Sequence, residues 1–255
     1  MTEPFVRMLV IIAATFLSVK IAVLAIARRH GTQLDARGMF LFLGWPGMRP
    51  ALFARRAERS GGAALVAKGI RALAAGAALF GVARWVALSA LPARHVIVTI
   101  LGLPALSLML HFGLFEIVTG VYRACGFGVG ELFQSPLRSR SLSEFWSRRW
   151  NLGFSEMISV LVHRPLRFAT PRTALVASFL ASGLLHELAI SLPVRAGYGL
   201  PTAYFLLQGG LVTIEKTMRR APGRLWTLFW LVAPLPCLFH PPFLRGIVWP
   251  LVGLK

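Results

Sequence analysis

The sequence has few acidic residues, few charged residues of any kind and almost no cysteine. Asp and Glu number 9 among 255 residues, against 28 Lys and Arg, and 15% of the residues are charged. An ordinary soluble domain has about 25% charged residues, so that class is excluded. Two cysteines exclude a disulfide framework. Because 56% of the residues are hydrophobic, disorder, which requires low hydrophobicity, is excluded as well.

The placement of the basic residues indicates a membrane. A net charge of +19 would suit nucleic acid, but the arginines form short clusters between apolar runs, as cytoplasmic loops of membrane proteins do. The paired clusters are Arg28 and Arg29, Arg55 and Arg56, Arg148 and Arg149, and Arg219 and Arg220. We predict an integral, multi-pass membrane protein with membrane lipids and no nucleic acid as partners. The Arg- and Ala-rich composition favours a bacterial inner membrane.

The first apolar run covers residues 4–27, with Arg7 and Lys20 as its only charges. At helical rise it is about 36 Å long, enough to cross a bilayer. The sequence Ala25-Ile26-Ala27 resembles a signal-peptide cleavage site. The positive charges follow this run instead of preceding it, however, which favours a membrane anchor.

Further spans are predicted within residues 63–91, 95–122, 173–193 and 199–215, and two apolar segments split by a Pro-Pro pair, 225–239 and 243–254, close the chain. In the first of these the frame is open, because either Lys68 and Arg71 snorkel from one end or Arg84 snorkels from the other. No stretch alternates like a strand. The prediction is an all-α, polytopic helix bundle of about six to eight transmembrane helices with re-entrant or interfacial pieces, in one domain over residues 1–255.

Ionisable side chains within spans are costly and are therefore candidates for function. His186 lies in an apolar run, about 20 Å from the start of its predicted helix at Thr173. It is either a reactive histidine or a buried histidine bonded to a neighbouring helix. A metal site is disfavoured, since no second His or Cys stands at ligand spacing. Glu116 and Glu187 are each expected to pair with an arginine.

The second informative stretch is the Trp/Arg segment, which we define as residues 141–151. Trp146, Arg148, Arg149, Trp150 and Asn151 fall within six positions of it. Ser141 or Ser143 is expected to cap a helix here, with Glu144 in the first turn. The alternative is an interfacial helix that places Trp at the lipid headgroups and Arg on lipid phosphates.

Four motifs in order along residues 40–220 resemble the wax synthase branch of the membrane-bound O-acyltransferases. They are Trp45-Pro46-Gly47-Met48, residues 132–137 (LFQSPL), the Trp/Arg segment, and Ser182-Gly183-Leu184-Leu185-His186-Glu187. The resemblance implies an acyltransferase that moves an acyl chain from acyl-CoA to the hydroxyl of a lipophilic alcohol. It implies His186 and Asn151 as the catalytic residues, acyl-CoA as co-substrate, and no metal or permanently bound cofactor.

The residues suit that chemistry. A neutral imidazole can take the proton of an attacking alcohol, which is worth about 10²–10⁴-fold in rate. An amide such as Asn151 could stabilise the oxyanion. Arginine matches the phosphates of CoA, with anionic lipid as the alternative ligand. The predicted donor-binding residues are Arg138, Arg140, Arg148 and Arg149, with Trp146 and Trp150 beside them and Arg164 and Arg167 as further candidates. Other readings are a different acceptor (a sterol, a diacylglycerol or a secondary metabolite) and a non-enzymatic transporter.

Overall fold

The structure is a computed structural model that describes residues 3–58, 61–166 and 168–254. Arg59, which follows the Arg55 and Arg56 pair in the sequence, and Arg167, a predicted phosphate ligand, lie outside these ranges. Within them every regular element is helical and no strand occurs, which confirms the all-α prediction. The described chain divides into two compact units. The first unit comprises residues 27–132 and 244–254, and the second comprises residues 3–26 and 133–243.

Several of the helices continue through a wider π-helical turn. In chain order the helices are α1 (Glu3–Arg29), α2 (Ala36–Gly44), α3 (Gly62–Leu88), α4 (Arg94–Ser107), α5 (Phe115–Ala124), α6 (Leu142–Glu144), α7 (Leu152–Ile158), α8 (Pro171–His186), α9 (Leu192–Val194), α10 (Leu200–Glu215), α11 (Arg224–Val232), α12 (Leu235–Leu238), α13 (Pro241–Phe243) and α14 (Trp249–Val252). The π turns are Leu108–Leu114, Phe145–Arg149, Ser159–His163, Glu187–Ser191 and Leu244–Val248. Short 3₁₀ turns lie at Pro50–Phe53 and Pro136–Arg138.

Four helical stretches of the described chain are long and apolar enough to cross a membrane. They are Glu3–Arg29, Gly62–Leu88, Arg94–Ala124 and Pro171–Val194, and a fifth is obtained if Arg224–Leu238 and Pro241–Val252 count as one broken span. The predicted six to eight spans are not confirmed. One predicted span, α10, has 16 residues, about 24 Å at helical rise and shorter than the roughly 30 Å of hydrocarbon.

In the first unit, glycines let α3 pack directly on α4 and α5. Gly62, Gly69 and Gly76 recur every seven residues and so share one side of the helix. A Cβ at Gly62 would lie 2.7 Å from the carbonyl oxygen of Gly120, and one at Gly69 would lie 2.8 Å from that of Gly113. Because real side chains do not approach so closely, the helix backbones are in contact. Small residues permit this packing in lipid.

Two of the three charged residues of α3, Lys68 and Arg84, find partners within the first unit. Lys68 pairs with the buried carboxylate of Glu116 and with Glu131, the latter at 2.5 Å. The expected arginine partner of Glu116 is therefore wrong, since a lysine 48 positions away takes that place. Arg84 donates to the carbonyl of Val252 at 3.4 Å. The α3 helix, Gly62–Leu88, thus contains the charged residues of both alternative frames, Lys68 and Arg71 near one end and Arg84 near the other.

In the second unit, α8 and α10 pack side by side and position the candidate site. A Cβ at Gly183, late in α8, would lie 2.7 Å from Cα of Thr202 at the start of α10. A Cβ at Gly209, late in α10, would lie 2.9 Å from the ring of Phe179. The two backbones therefore run close together in opposite directions. His186, the last residue of α8, is held at one end of this pair.

Candidate active site

The Trp/Arg segment begins as a capped helix, and of the two predicted caps the structure uses Ser141. Its hydroxyl accepts the backbone N–H of Glu144 at 3.0 Å. The buried carboxylate of Glu215, at the end of α10, accepts the backbone N–H groups of Leu142 and Ser143 at 2.8 Å each. These are donors that a helix start leaves without intrahelical partners. Glu215 therefore ties the segment to α10.

Arg149 is occupied by internal partners. Its Nε donates to Glu144 at 2.7 Å, and its terminal nitrogen donates to the carbonyl of Gln134 at 3.1 Å. The backbone N–H of Arg140, at 2.8 Å from the Glu144 carboxylate, and then the Arg149 guanidinium hold the pKa of Glu144 below its usual value. Arg149 thus stabilises the turn that carries the segment. Its predicted role in binding the donor stays a prediction.

The other arginines of the predicted donor site are exposed. Arg138, Arg140, Arg148 and Arg164 all lie at the surface. In the described part of the chain none of their guanidinium groups has a hydrogen-bond or ion-pair partner. They therefore have donors available for an anion.

The two tryptophans of the segment pack inside the second unit. Trp146 donates from its indole nitrogen to Gln208 of α10 at 3.2 Å, and its ring lies 5.6 Å from that of Phe205. Trp150 stacks on Phe145 with ring centroids 5.4 Å apart. The Trp146 contacts anchor the segment to α10, whereas the Trp150 stack lies within the segment.

Asn151 adopts a left-handed backbone conformation, with φ of 45°, and caps α7. Its side-chain oxygen accepts the backbone N–H of Phe154 at 3.2 Å. Its Nδ2 group makes no hydrogen bond to any residue the structure describes, His186 included. Asn151 is therefore a helix cap whose amide N–H groups are available to a ligand.

The hydrogen bond made by His186 determines its tautomer. Nδ1 lies 2.7 Å from the carbonyl oxygen of Ser182, one turn back on α8. A carbonyl can only accept, so Nδ1 carries the proton and Nε2 of the neutral ring has a lone pair. Nε2 has no partner among the described residues. The imidazole is thus arranged as a proton acceptor.

Phe205 of α10 connects the two motifs. Its ring lies 4.3 Å from that of His186 and 5.6 Å from that of Trp146, so the structure brings these predicted site residues to one aromatic side chain. Sequence reasoning missed Phe205 and Gln208. The polar Gln208 within the apolar run of α10 was the available signal, because a buried amide needs partners.

Glu187 has a different role from the one expected. One carboxylate oxygen accepts the backbone N–H groups of Gly199 and Thr202 and the Thr202 hydroxyl, at 2.9, 3.1 and 2.9 Å. The expected arginine partner is wrong. Glu187 instead satisfies the start of α10, where N–H groups have no intrahelical acceptor.

A cavity of about 380 Å³ lies where α8 begins and α10 ends. Its lining residues are Thr170, Pro171, Arg172, Leu175, Thr213, Lys216 and Thr217. Arg172 and Lys216 give it positive charge, and the start of α8 adds the positive end of the helix dipole. An anion with several oxygens fits this lining.

Over the described residues there is no group of three or more His, Cys, Asp or Glu side chains that could hold a metal ion. The second unit therefore combines an imidazole with an open nitrogen, an available amide and a basic cavity on a frame of apolar helices. These groups lie together in the unit that also carries the candidate span Pro171–Val194.

Residues 129–207 match the sequence model of the membrane-bound O-acyl transferase family. The chain is 35% identical over 136 residues to a probable long-chain-alcohol O-fatty-acyltransferase 2 of Arabidopsis thaliana, across 46% of this chain and 40% of that protein. It is 30% identical over 99 residues to a long-chain-alcohol O-fatty-acyltransferase of Simmondsia chinensis, across 35% and 28%. The resemblance predicted from the motifs, to the wax synthase branch of this family, is confirmed.

The chain spans about two fifths or less of the length of these relatives. The matched segment contains Asn151, His186, Trp146 and Phe205, all in the second unit. The likeness therefore concentrates on the unit that carries the candidate site.

Proposed function

We propose that this protein is an acyl-CoA-dependent O-acyltransferase that esterifies a long-chain alcohol. The observation that carries the proposal is Nε2 of His186, which has no partner among the described residues and whose ring lies against Phe205, the residue that Trp146 also contacts. The family match and the activity named for the relatives support acyl transfer as the reaction class. As a proposal, the acyltransferase domain covers residues 1–255.

His186 acts as the general base in this proposal. Its Nε2 takes the proton of the alcohol while the alcohol oxygen attacks the thioester carbonyl carbon. The tetrahedral intermediate collapses, the carbon–sulfur bond breaks, and the proton passes from His186 to the leaving sulfur. The products are an ester and free CoA. No covalent acyl-enzyme is required, so donor and acceptor are bound together.

Asn151 stabilises the negative oxygen of the intermediate. Its amide oxygen is already engaged by Phe154, so the side chain presents its N–H groups. Fixed donors of this kind stabilise developing charge because they are oriented before the reaction. The cap that orients Asn151 therefore serves the chemistry as well as the helix.

The donor's phosphates bind at basic groups of the second unit. The cavity beside Arg172 and Lys216 supplies positive charge, and Arg138, Arg140 and Arg148 supply guanidinium groups. From Pro171 to His186 the α8 helix extends about 22 Å, a distance suited to an extended pantetheine arm. The long acyl and alkyl chains lie among apolar helices, which also limits competing hydrolysis.

A bacterial inner membrane remains a prediction from composition alone. The relatives named above are plant proteins and do not support it. The candidate spans are consistent with an integral, multi-pass protein in a membrane.

The test is acyl-CoA-dependent release of free thiol by membranes that contain the protein and a long-chain alcohol. His186→Gln is expected to lower kcat by about 10²–10⁴-fold, because the general base is lost. The matched control is His111→Gln. His111 also lies in a span and bonds a side chain one turn back, Ser107 at 3.0 Å, but it belongs to the first unit. Unchanged turnover in His186→Gln with equal protein would overturn the mechanism, and no thiol release by the wild type would overturn the function.

A further inference from the structure

The helix that carries His186 widens immediately after it. Glu187–Ser191 forms a π turn, in which the backbone N–H of Leu192 bonds to the carbonyl of Glu187. Such turns are less stable than α-helix and occur often at functional sites. Something outside the helix must therefore stabilise this turn, and the structure provides contacts at both of its ends.

At the first end, Glu187 is fixed by the start of α10. The three hydrogen bonds from Gly199 and Thr202 hold its carboxylate. Phe205, whose ring His186 contacts, lies three residues after Thr202 on the same helix, α10. The anchor of Glu187 thus sets the position of α10 relative to His186.

At the second end, Ser191 is fixed by His240. Both side chains are fully buried. Nδ1 of His240 accepts the backbone N–H of Phe243 at 3.3 Å, so Nε2 carries the proton and donates to the Ser191 hydroxyl at 3.3 Å. The Ser191 hydroxyl in turn donates to the carbonyl of Gly197 at 3.3 Å.

The backbone leaves room for this histidine. A Cβ at Gly197 would lie 2.6 Å from Cδ2 of His240, and Gly197 has φ of +77°, a conformation that favours glycine. His240 itself lies in the break between α12 and α13. It therefore links this break to the π turn behind His186.

We propose that Ser191 and His240 are positioning residues for the transfer reaction. By holding the end of the π turn, they keep the His186 ring oriented against Phe205. If the turn relaxed to α-helix, the residues beyond it would rotate by about 100° relative to His186. This inference rests on the proposed function, since it assigns the two residues to the chemistry of His186.

The experiment measures kcat and KM for acyl-CoA with purified protein. Ser191→Ala and His240→Phe are expected to lower kcat about tenfold to hundredfold, the cost of a small misplacement of a catalytic group. KM for acyl-CoA stays unchanged, because the proposed donor cavity is at the other end of α8. Ser191→Thr and His240→Gln retain the hydroxyl and an N–H donor and are expected to restore most of kcat.

The matched control is Thr227→Val. Thr227 is also fully buried in the second unit, but its hydroxyl bonds only to its own helix, at the carbonyl of Gly223. It is expected to keep the wild-type kcat. Ser191→Ala is the smaller change and decides the question if His240→Phe does not fold.

Wild-type kcat in Ser191→Ala would overturn the inference while leaving the proposed function intact. Failure of Ser191→Thr and His240→Gln to restore kcat, or an equal loss in Thr227→Val, would reduce both residues to general packing and also overturn it. Thiol release by the wild type and its loss in His186→Gln decide the proposed function separately.

Discussion

Two regions of the molecule carry ionisable side chains on candidate membrane-spanning helices. They differ in whether the polar atoms of those side chains have partners. In the first unit, Lys68 lies between Glu116 and Glu131, and each charge has a partner. In the second unit, His186 bonds its own helix through one nitrogen and leaves the other unengaged within the described chain. A buried unpaired charge is costly, whereas a neutral imidazole with a free lone pair costs less. The comparison separates groups that stabilise the fold from groups available to a substrate.

The largest expected effect concerns Asn151, which caps α7 and is the proposed hydrogen-bond donor to the oxyanion. Asn151→Gly retains the left-handed backbone and costs only a few tenths of a kcal/mol as a cap, but it removes the amide. If the amide stabilises the oxyanion, kcat falls about 10²–10³-fold with the thermal midpoint nearly unchanged. Asn151→Ala is expected to lose the same activity and also stability, because alanine disfavours φ of 45°. Full activity in Asn151→Gly would leave Asn151 with only its structural role as the cap of α7.

The second test breaks the paired region. Lys68→Ala leaves Glu116 buried without its cation, so we expect a loss of about 1–3 kcal/mol in the free energy of unfolding, less than for a fully buried pair because Lys68 is half exposed. Activity per folded molecule should be preserved, because the cluster belongs to the first unit. Thermal unfolding in detergent and thiol release by the surviving fraction measure the two quantities. Lys68→Met combined with Glu116→Gln should recover most of the stability. A lower kcat in the stably folded double variant would contradict a purely structural role for Lys68 and Glu116.

The third and smallest test applies the same distinction to neighbouring arginines. Arg148 has no internal partner among the described residues, whereas Arg149 has several. Arg148→Ala is expected to raise KM for acyl-CoA up to about fivefold, the worth of one exposed ion pair. Arg149→Ala should mainly lower the thermal midpoint. The control is Arg55, which is exposed in the first unit. An equal rise of KM in Arg55→Ala would show that Arg148 does not bind the donor specifically and serves only the orientation of the chain in the membrane.

Much of the local structure could be predicted because its determinants are close in sequence. The Ser141 cap depends on a bond three residues ahead, and the long span α1 depends on one uninterrupted apolar run. The predicted span count is not confirmed for a related reason. Apolar composition predicted a crossing at residues 199–215, but the helix there is 16 residues long, which composition alone does not set.

The partners of the buried charges could not be predicted. The sequence favoured arginine for Glu116 and Glu187, since arginine is the commonest cation of the chain. The observed partners are Lys68 and the start of α10, and both are determined by which helices pack together. Phe205 was missed for the same reason, because its contact with His186 exists only when α8 and α10 run side by side.

The sequence by itself determined the membrane environment of this protein, its helical class, and the two motifs that carry Asn151 and His186. These follow from composition, run length and short-range spacing, which are properties of the chain. The tertiary structure alone decided which nitrogen of His186 is open, what holds the π turn behind it and which arginines have donors to spare. Those properties depend on hydrogen-bond partners brought together from distant parts of the chain, and packing geometry selects them.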